Sequence, residues 1–181
     1  MNTDTALNAS QHLTKLGSKK LSDFIGYTGP IVIPQRYGDD PLMGLCQIIV
    51  SQQLSNRAAR SIWSRLCKHL PDRSDRLHVL AQDESEHLGL SRAKRRTLSN
   101  LLKQDKSWFA TQIQATSEER FQALTDLWGI GPWSVAMFEL FVLKNPDVWS
   151  DGDLILRRIS ELLAGEADTD RAEWISSAAP F

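Results

Sequence analysis

Cysteine, charge of one sign and long apolar runs are all scarce in this sequence, and each scarcity removes a class of protein. The only two cysteines, Cys46 and Cys67, fall inside helix-like patterns and are expected to be buried free thiols. Two thiolates alone cannot hold a four-cysteine iron–sulfur cluster or a structural zinc. His12, His69, His78 and His87 are scattered without metal-ligand spacing, so no transition metal is expected. Basic residues number 21 and acidic residues 22, a formal charge of −1, which argues against a broad electrostatic footprint for a polyanion. Any such contact would have to be local. Met1 to Gln11 is polar and lacks an apolar secretion core, and no run reaches membrane-spanning length. The expectation is a chain with no membrane partner in a reducing, cytoplasmic compartment.

What is present is an ordinary globular composition. Of the 181 residues, 41% are apolar and 24% charged, enough for one domain or two small lobes with a sizeable core. Apolar periodicity is helical almost throughout, so the fold class is all-α; Ile31-Val32-Ile33-Pro34 is the one strand-like run and is too short for a sheet. Residues 1–17 are polar and weakly patterned, and read as a frayed helix. Ser18 caps a short helix carrying Leu21, Phe24 and Ile25, which Gly29-Pro30 ends. Asp40-Pro41 opens a helix with Leu42, Leu45, Cys46, Ile49 and Val50 on one face. Ser55 caps the next, with Ala58, Ala59, Ile62, Trp63 and Leu66, closed by Pro71. A helix near Leu77–Ala81 follows, and Ser91 caps a basic one with Leu98, Leu101 and Leu102 inside. Thr116 and Glu119 fit a capping box that opens a helix holding Phe121, Leu124 and Leu127. Beyond it, helices are expected from about Trp133 to Leu143, over Leu154–Leu163 ending at Gly165, and within 168–176.

The sharpest local signal is Leu127-Trp128-Gly129-Ile130-Gly131-Pro132-Trp133-Ser134, where two helices meet through a Gly-Ile-Gly-Pro turn. The two glycines can take backbone angles closed to other residues and leave no side chain to obstruct a close ligand. Ile130 can drop into the core, and Pro132 suits the first position of the second helix, whose N–H groups then point outward. Such a backbone anion site suits a DNA phosphate, but a plain αα-corner that contains glycines reads equally well from spacing alone.

The hairpin resembles the helix-hairpin-helix of the DNA glycosylase superfamily (HhH-GPD) that includes endonuclease III. Further segments are similar to the DNA-3-methyladenine glycosylase II branch in the same order: Ile48-Ile49-Val50-Ser51-Gln52-Gln53-Leu54-Ser55, Gly89-Leu90-Ser91-Arg92-Ala93-Lys94, and Val148-Trp149-Ser150-Asp151-Gly152-Asp153-Leu154. The resemblance spans roughly residues 20–175. It implies a two-lobed helical fold, with lobes of roughly 38–125 and of 18–37 plus 126–181, and a hairpin motif over 118–144.

It also implies a chemistry. Cleaving an N-glycosidic bond builds positive charge on the sugar, which a fixed carboxylate stabilises. Asp153 matches the catalytic position; Asp151 is the rival, and Asp153 also reads as the N-cap of the following helix, a role compatible with catalysis. Strand-cutting relatives carry a lysine two residues after the second glycine, where this chain has Trp133, so no Schiff base forms there. Trp133, with Met137 and Leu154, is expected to line the base pocket, the indole face attracting a cationic alkylated purine; Trp133 is otherwise a core aromatic. The pocket is less aromatic than usual, since relatives place tyrosine at 137. Leu54 matches the wedge that fills the gap left by a flipped base, and Gln53 the minor-groove contact; otherwise Leu54 is core and the glutamines are solvated. Gly129, Gly131, Trp133 and Ser134 are the expected phosphate site. The carbonyls of Leu127 and Ile130 sit where relatives hold a Na⁺ or K⁺ ion, with no other cofactor implied. Arg92, Lys94, Arg95 and Arg96 form the densest basic cluster, either a solvated surface or a phosphate contact. Relatives continue from a segment similar to Trp174–Pro180 into a closing helix, expected to be missing after Phe181. The expected function is monofunctional excision of alkylated purines from damaged double-stranded DNA by a monomer, associated with the nucleoid if the source is bacterial. A non-catalytic DNA-binding module, or a glycosylase for deaminated or mismatched bases, are the alternatives.

Overall fold

A computed structural model describes residues 3–34, 36–69 and 87–178. Among them the secondary structure is entirely helical: α1 (Thr3–Leu13), α2 (Lys19–Thr28), α3 (Pro41–Ser51), α4 (Asn56–His69), α5 (Arg92–Lys103), α6 (Lys106–Gln114), α7 (Ser117–Thr125), α8 (Pro132–Phe141), α9 (Leu154–Glu166) and α10 (Arg171–Ala178). The all-α expectation holds. No described helix is long and apolar enough to cross a membrane. The helix expected near Leu77–Ala81 and its closure at Pro71 lie outside the described residues.

The starts follow the caps. Asp40 Oδ1 accepts from the N–H groups of Leu42 and Met43 at 2.9 and 3.2 Å, with Pro41 in the first turn. Ser55 Oγ accepts from Ala58 N at 3.3 Å and Ser91 Oγ from Lys94 N at 3.3 Å. Thr116 and Glu119 form the full reciprocal box, and Gly29, at φ 67°, ends α2. One helix, α6, had no expectation. Asp105 caps it, but it is only nine residues long, and its pattern is diluted by Thr111 and two glutamines. α9 runs through Gly165 rather than ending there.

Chain contacts divide the molecule into two units, 36–143 and 1–35 with 144–181. The expected partition put the hairpin with the terminal segments; instead its second helix goes with the central unit. Burial gives the reason. Ile130, Val135 and Phe138 are sealed in the same core as Ile48, Leu98 and Leu124. α3 lies at the middle of this core, packed on α4, α5 and α8, so it is buried well beyond the one face expected. Cys46 is buried there, but Cys67 is exposed, one step off the Ala59-Ile62-Leu66 stripe of α4.

A buried ion pair fixes the hairpin helices. Arg120 on α7 and Glu139 on α8 meet at 2.6 Å with side chains only 7% and 6% exposed. The same guanidinium caps the end of α6, donating to the carbonyls of Gln112, Ile113 and Ala115 at 2.6, 3.1 and 2.9 Å.

The terminal unit has a smaller core of Leu163, Ala164 and Trp174, against which Leu16, Leu21 and Ile175 pack. Glu166, at the end of α9, ties it to the start of α2. It accepts from Ser18 Oγ at 2.7 Å and Lys20 N at 3.1 Å, and pairs with Lys20 Nζ at 2.7 Å. These contacts lower its pKa from 4.5 to about 2.

Arg120→Ala removes the buried ion pair with Glu139 and the donors that cap α6, and should lower the free energy of unfolding in urea by about 3–5 kcal/mol. Glu166 has a depressed pKa, so its stabilising effect is complete above 4.5 and is lost as the pH falls toward about 2. Melting temperatures across that window should fall less steeply for Glu166→Gln than for the parent chain.

Candidate nucleic-acid interface

α7 ends at Thr125, and the chain turns through Ile130 N donating to Leu127 O at 3.1 Å. Gly129 has φ 88°, and a Cβ placed there would run into the Thr97 hydroxyl of α5. Glycine is therefore required twice over, by backbone and by contact. Ile130 is buried as expected. Gly131 departs from expectation. Its φ of −104° and ψ of 174° are open to any residue, and a Cβ there would meet nothing within 4 Å. Its missing side chain clears space outside the protein, at the N-cap of α8 where Pro132 begins the helix.

The turn after α3 is fastened to this hairpin. Gln52 Nε2 donates to Ser134 Oγ at 2.7 Å and makes a longer contact, 3.4 Å, with Gly129 O. Lys94 Nζ reaches across from α5 to the carbonyls of Val50 and Gln52, at 2.7 and 2.6 Å, capping the C-terminal end of α3. Burial lowers the pKa of this ammonium. Gln53, exposed at φ 55°, and Leu54, 38% exposed, are left at the tip. Leu54 is thus not core. Sequence reasoning missed Gln52 and misplaced Lys94; the only available signal was the glutamine doublet beside a helix end.

The basic cluster does not act as one surface. Arg92 and Arg96 are exposed and Arg95 is buried, while Lys94 is a cap. The Arg96 guanidinium carbon lies 4.1 Å from the centroid of the Trp128 ring. Four basic residues within five helical positions necessarily face different ways.

In the terminal unit, the 150–153 loop holds two carboxylates with different duties. Asp151 accepts from Arg171 Nη2 at 2.8 Å and Trp149 Nε1 at 3.1 Å, and these hydrogen bonds, Arg171 first, lower its pKa. Asp153 caps α9, its Oδ1 accepting from Ile155 N at 2.9 Å and Leu156 N at 3.2 Å. It is half-buried rather than sealed in the interior. Its neighbour Leu154 is 68% exposed. Trp133 and Met137 are partly buried against the central core. The expected base-pocket residues are thus divided between the two units, and neither unit alone gathers them. Among the described residues no group of His, Cys, Asp and Glu could hold a metal.

No protein-family profile matches the chain. It is 25% identical over 176 residues to the alkylbase DNA glycosidase-like protein mag2 of Schizosaccharomyces pombe, covering 91% of this chain and 81% of that one. It is 29% identical over 169 residues to the DNA-3-methyladenine glycosylase of Saccharomyces cerevisiae, spanning 84% of this chain but only 56% of the relative. The DNA-3-methyladenine glycosidase of Bacillus halodurans superposes with a TM-score of 0.75 at 26% identity, over 96% of this chain and 83% of that one. The S. pombe 3-methyladenine DNA glycosylase Mag1, solved in complex with abasic DNA, gives 0.78 at 23%, over 96% and 90%. In fold and hairpin the chain is similar to the helix-hairpin-helix DNA glycosylases. Among them, the chain is similar to the 3-methyladenine glycosylases, so the expected resemblance is borne out.

The two glycines should respond differently to substitution. Gly129→Ala should cost at least about 1 kcal/mol in urea unfolding, whereas Gly131→Ala should stay within about 0.5 kcal/mol of the parent. Equal losses would contradict the geometry.

Proposed function

We propose that this chain is a monofunctional DNA glycosylase that releases alkylated purines from duplex DNA, the first step of base excision repair. The observation that carries the proposal is Asp153: a half-buried carboxylate held by two backbone N–H groups at a helix start. In the reaction the C1′–N bond of a flipped nucleotide breaks and the base leaves with the bonding electrons. The alkyl group has already made that base cationic, so it departs without a strong general acid. Asp153 stabilises the oxocarbenium ion that remains, and water adds at C1′ and gives up its proton, leaving an abasic site.

The other residues assist binding. Leu54 is exposed on a turn braced by Lys94 and by the Gln52–Ser134 bond, which suits a wedge that must push without yielding. Gln53 beside it would reach the minor groove. Trp133 offers an indole face to a cationic base, with Met137 one turn further along α8. Where bifunctional enzymes carry an amine, Trp133 provides none, so the strand is left uncut. The hairpin backbone at Gly129, Gly131, Trp133 and Ser134 would take a phosphate, with the space outside Gly131 admitting it. The carbonyls of Leu127 and Ile130 are neutral, hard oxygens that suit Na⁺ or K⁺. Leu127 O accepts a single backbone bond, from Ile130 N, and so keeps a lone pair for an ion that would add positive charge beside the phosphate.

Release of 3-methyladenine and 7-methylguanine from methylated duplex DNA tests the proposal. The parent chain should release both, and Asp153→Asn should lose at least about a hundredfold in rate with little change in stability, since asparagine also caps. Equal release by both proteins would remove Asp153 from the mechanism. DNA binding with no release by either would mark a non-catalytic binding module, the reading favoured by the exposed Leu154-Ile155-Ile159-Leu162 face of α9. Leu54→Ala should weaken capture of DNA containing an abasic analogue while leaving the melting temperature nearly unchanged.

A further inference from the structure

Arg96 and Trp128 form a stacked pair beside the hairpin that the mechanism above does not use. The guanidinium carbon lies 4.1 Å from the indole centroid, and Trp128 is 44% exposed. Trp128 immediately precedes Gly129. Thr97, the neighbour of Arg96 on α5, is the residue whose hydroxyl occupies the space a Gly129 side chain would need. Consecutive positions of α5 therefore address the hairpin, Thr97 from the inside and Arg96 from the outside. The adjacent basic residues have other duties, Lys94 as a cap and Arg95 within the protein.

The chemistry of the pair points to an anion. Among the described residues no carboxylate pairs with Arg96. An indole covers the face of a guanidinium and leaves the N–H groups at its edge, which are the groups that fork onto a phosphate. A carboxylate partner would have consumed that edge. The ring instead holds a long, mobile side chain in place while sparing its donors. The position also matters, because a hairpin that grips one phosphate through backbone amides sets the neighbouring phosphates of the same strand within reach of adjacent side chains.

We propose that the Arg96–Trp128 stack is a DNA backbone-phosphate site beside the hairpin, with Arg96 supplying the contact and Trp128 positioning it. This rests on the DNA-binding part of the proposed function. The test is fluorescence-anisotropy binding of the full chain to a duplex with a tetrahydrofuran abasic analogue, measured from about 50 to 200 mM salt. Arg96→Gln should weaken binding roughly tenfold and reduce the slope of log affinity against log salt by about 0.9, the value for one lost phosphate contact. Trp128→Ala should weaken binding by a smaller factor, and Trp128→Phe should recover part of the loss. Lys68→Gln, which removes an equal charge from exposed α4, should match the parent.

An unchanged slope and affinity for Arg96→Gln would overturn the site. If Asp153→Asn still abolished release, the glycosylase reading would stand without it. Parent-like binding by Trp128→Ala would overturn the positioning role of the ring. A lowered slope in a parent chain that releases no base would support the phosphate site while sinking the catalytic reading.

Discussion

The angle between the hairpin helices rests on a guanidinium sealed away from water. Taking Arg120 and Glu139 out of solvent is costly, and their mutual attraction is supported by Arg120 Nη1, which also donates to the three carbonyls ending α6. Such a set can be satisfied in only one relative placement of α6, α7 and α8. An apolar cluster of equal volume could match its stability but would tolerate sliding. The hairpin cannot. Gly129 lies hard against Thr97, and Gln52 must reach Ser134, so a displacement of α8 would break the tie to the Leu54 turn as well. One polar cluster in the core thereby sets the position of two surface features.

The terminal unit solves a different electrostatic problem. Two aspartates stand two residues apart, and different kinds of donor hold them. Asp151 is drawn into hydrogen bonds with Arg171 and Trp149, which stabilise its ionised form and also use it up. Asp153 is held by backbone N–H groups, whose fixed partial charges orient the carboxylate. A carboxylate meant to stabilise a transient cation benefits from that arrangement, because its partners are fixed before the cation appears. In the proposed reaction, capping and catalysis fall to the same side chain.

How much of this was legible beforehand follows from the range of the signals. Caps are local, so Asp40, Ser55, Ser91, Thr116 and Asp153 announced their helices, and the glycine corner announced the hairpin. α6 escaped because nine residues with few apolar positions leave a weak period. The lobe bounds came with the resemblance and not from the residues, and chain contacts group the second hairpin helix with the central unit because that core accepts Val135 and Phe138. The roles of Gln52, Lys94 and Arg120 were beyond reach for the same reason: each links positions far apart in sequence, and a polar residue in a helix looks identical whether it faces water or a distant carbonyl. The opposite error befell Gly131, where the residue type suggested a strained backbone and the strain lies only at Gly129.

The balance of charge then makes sense. With 21 basic residues against 22 acidic ones, the chain cannot rely on a diffuse field to hold a polyanion. What it offers instead is local: helix-start amides at a cleared glycine, a braced apolar tip, and an arginine held by a ring rather than by a carboxylate. An enzyme that must survey intact duplex gains from weak general attraction, since strong non-specific binding would leave it bound to undamaged DNA. Selectivity then falls to the step that costs most, extruding a base. That step is easier where the base is already damaged, and in the proposed function its product is held by the braced turn at Leu54.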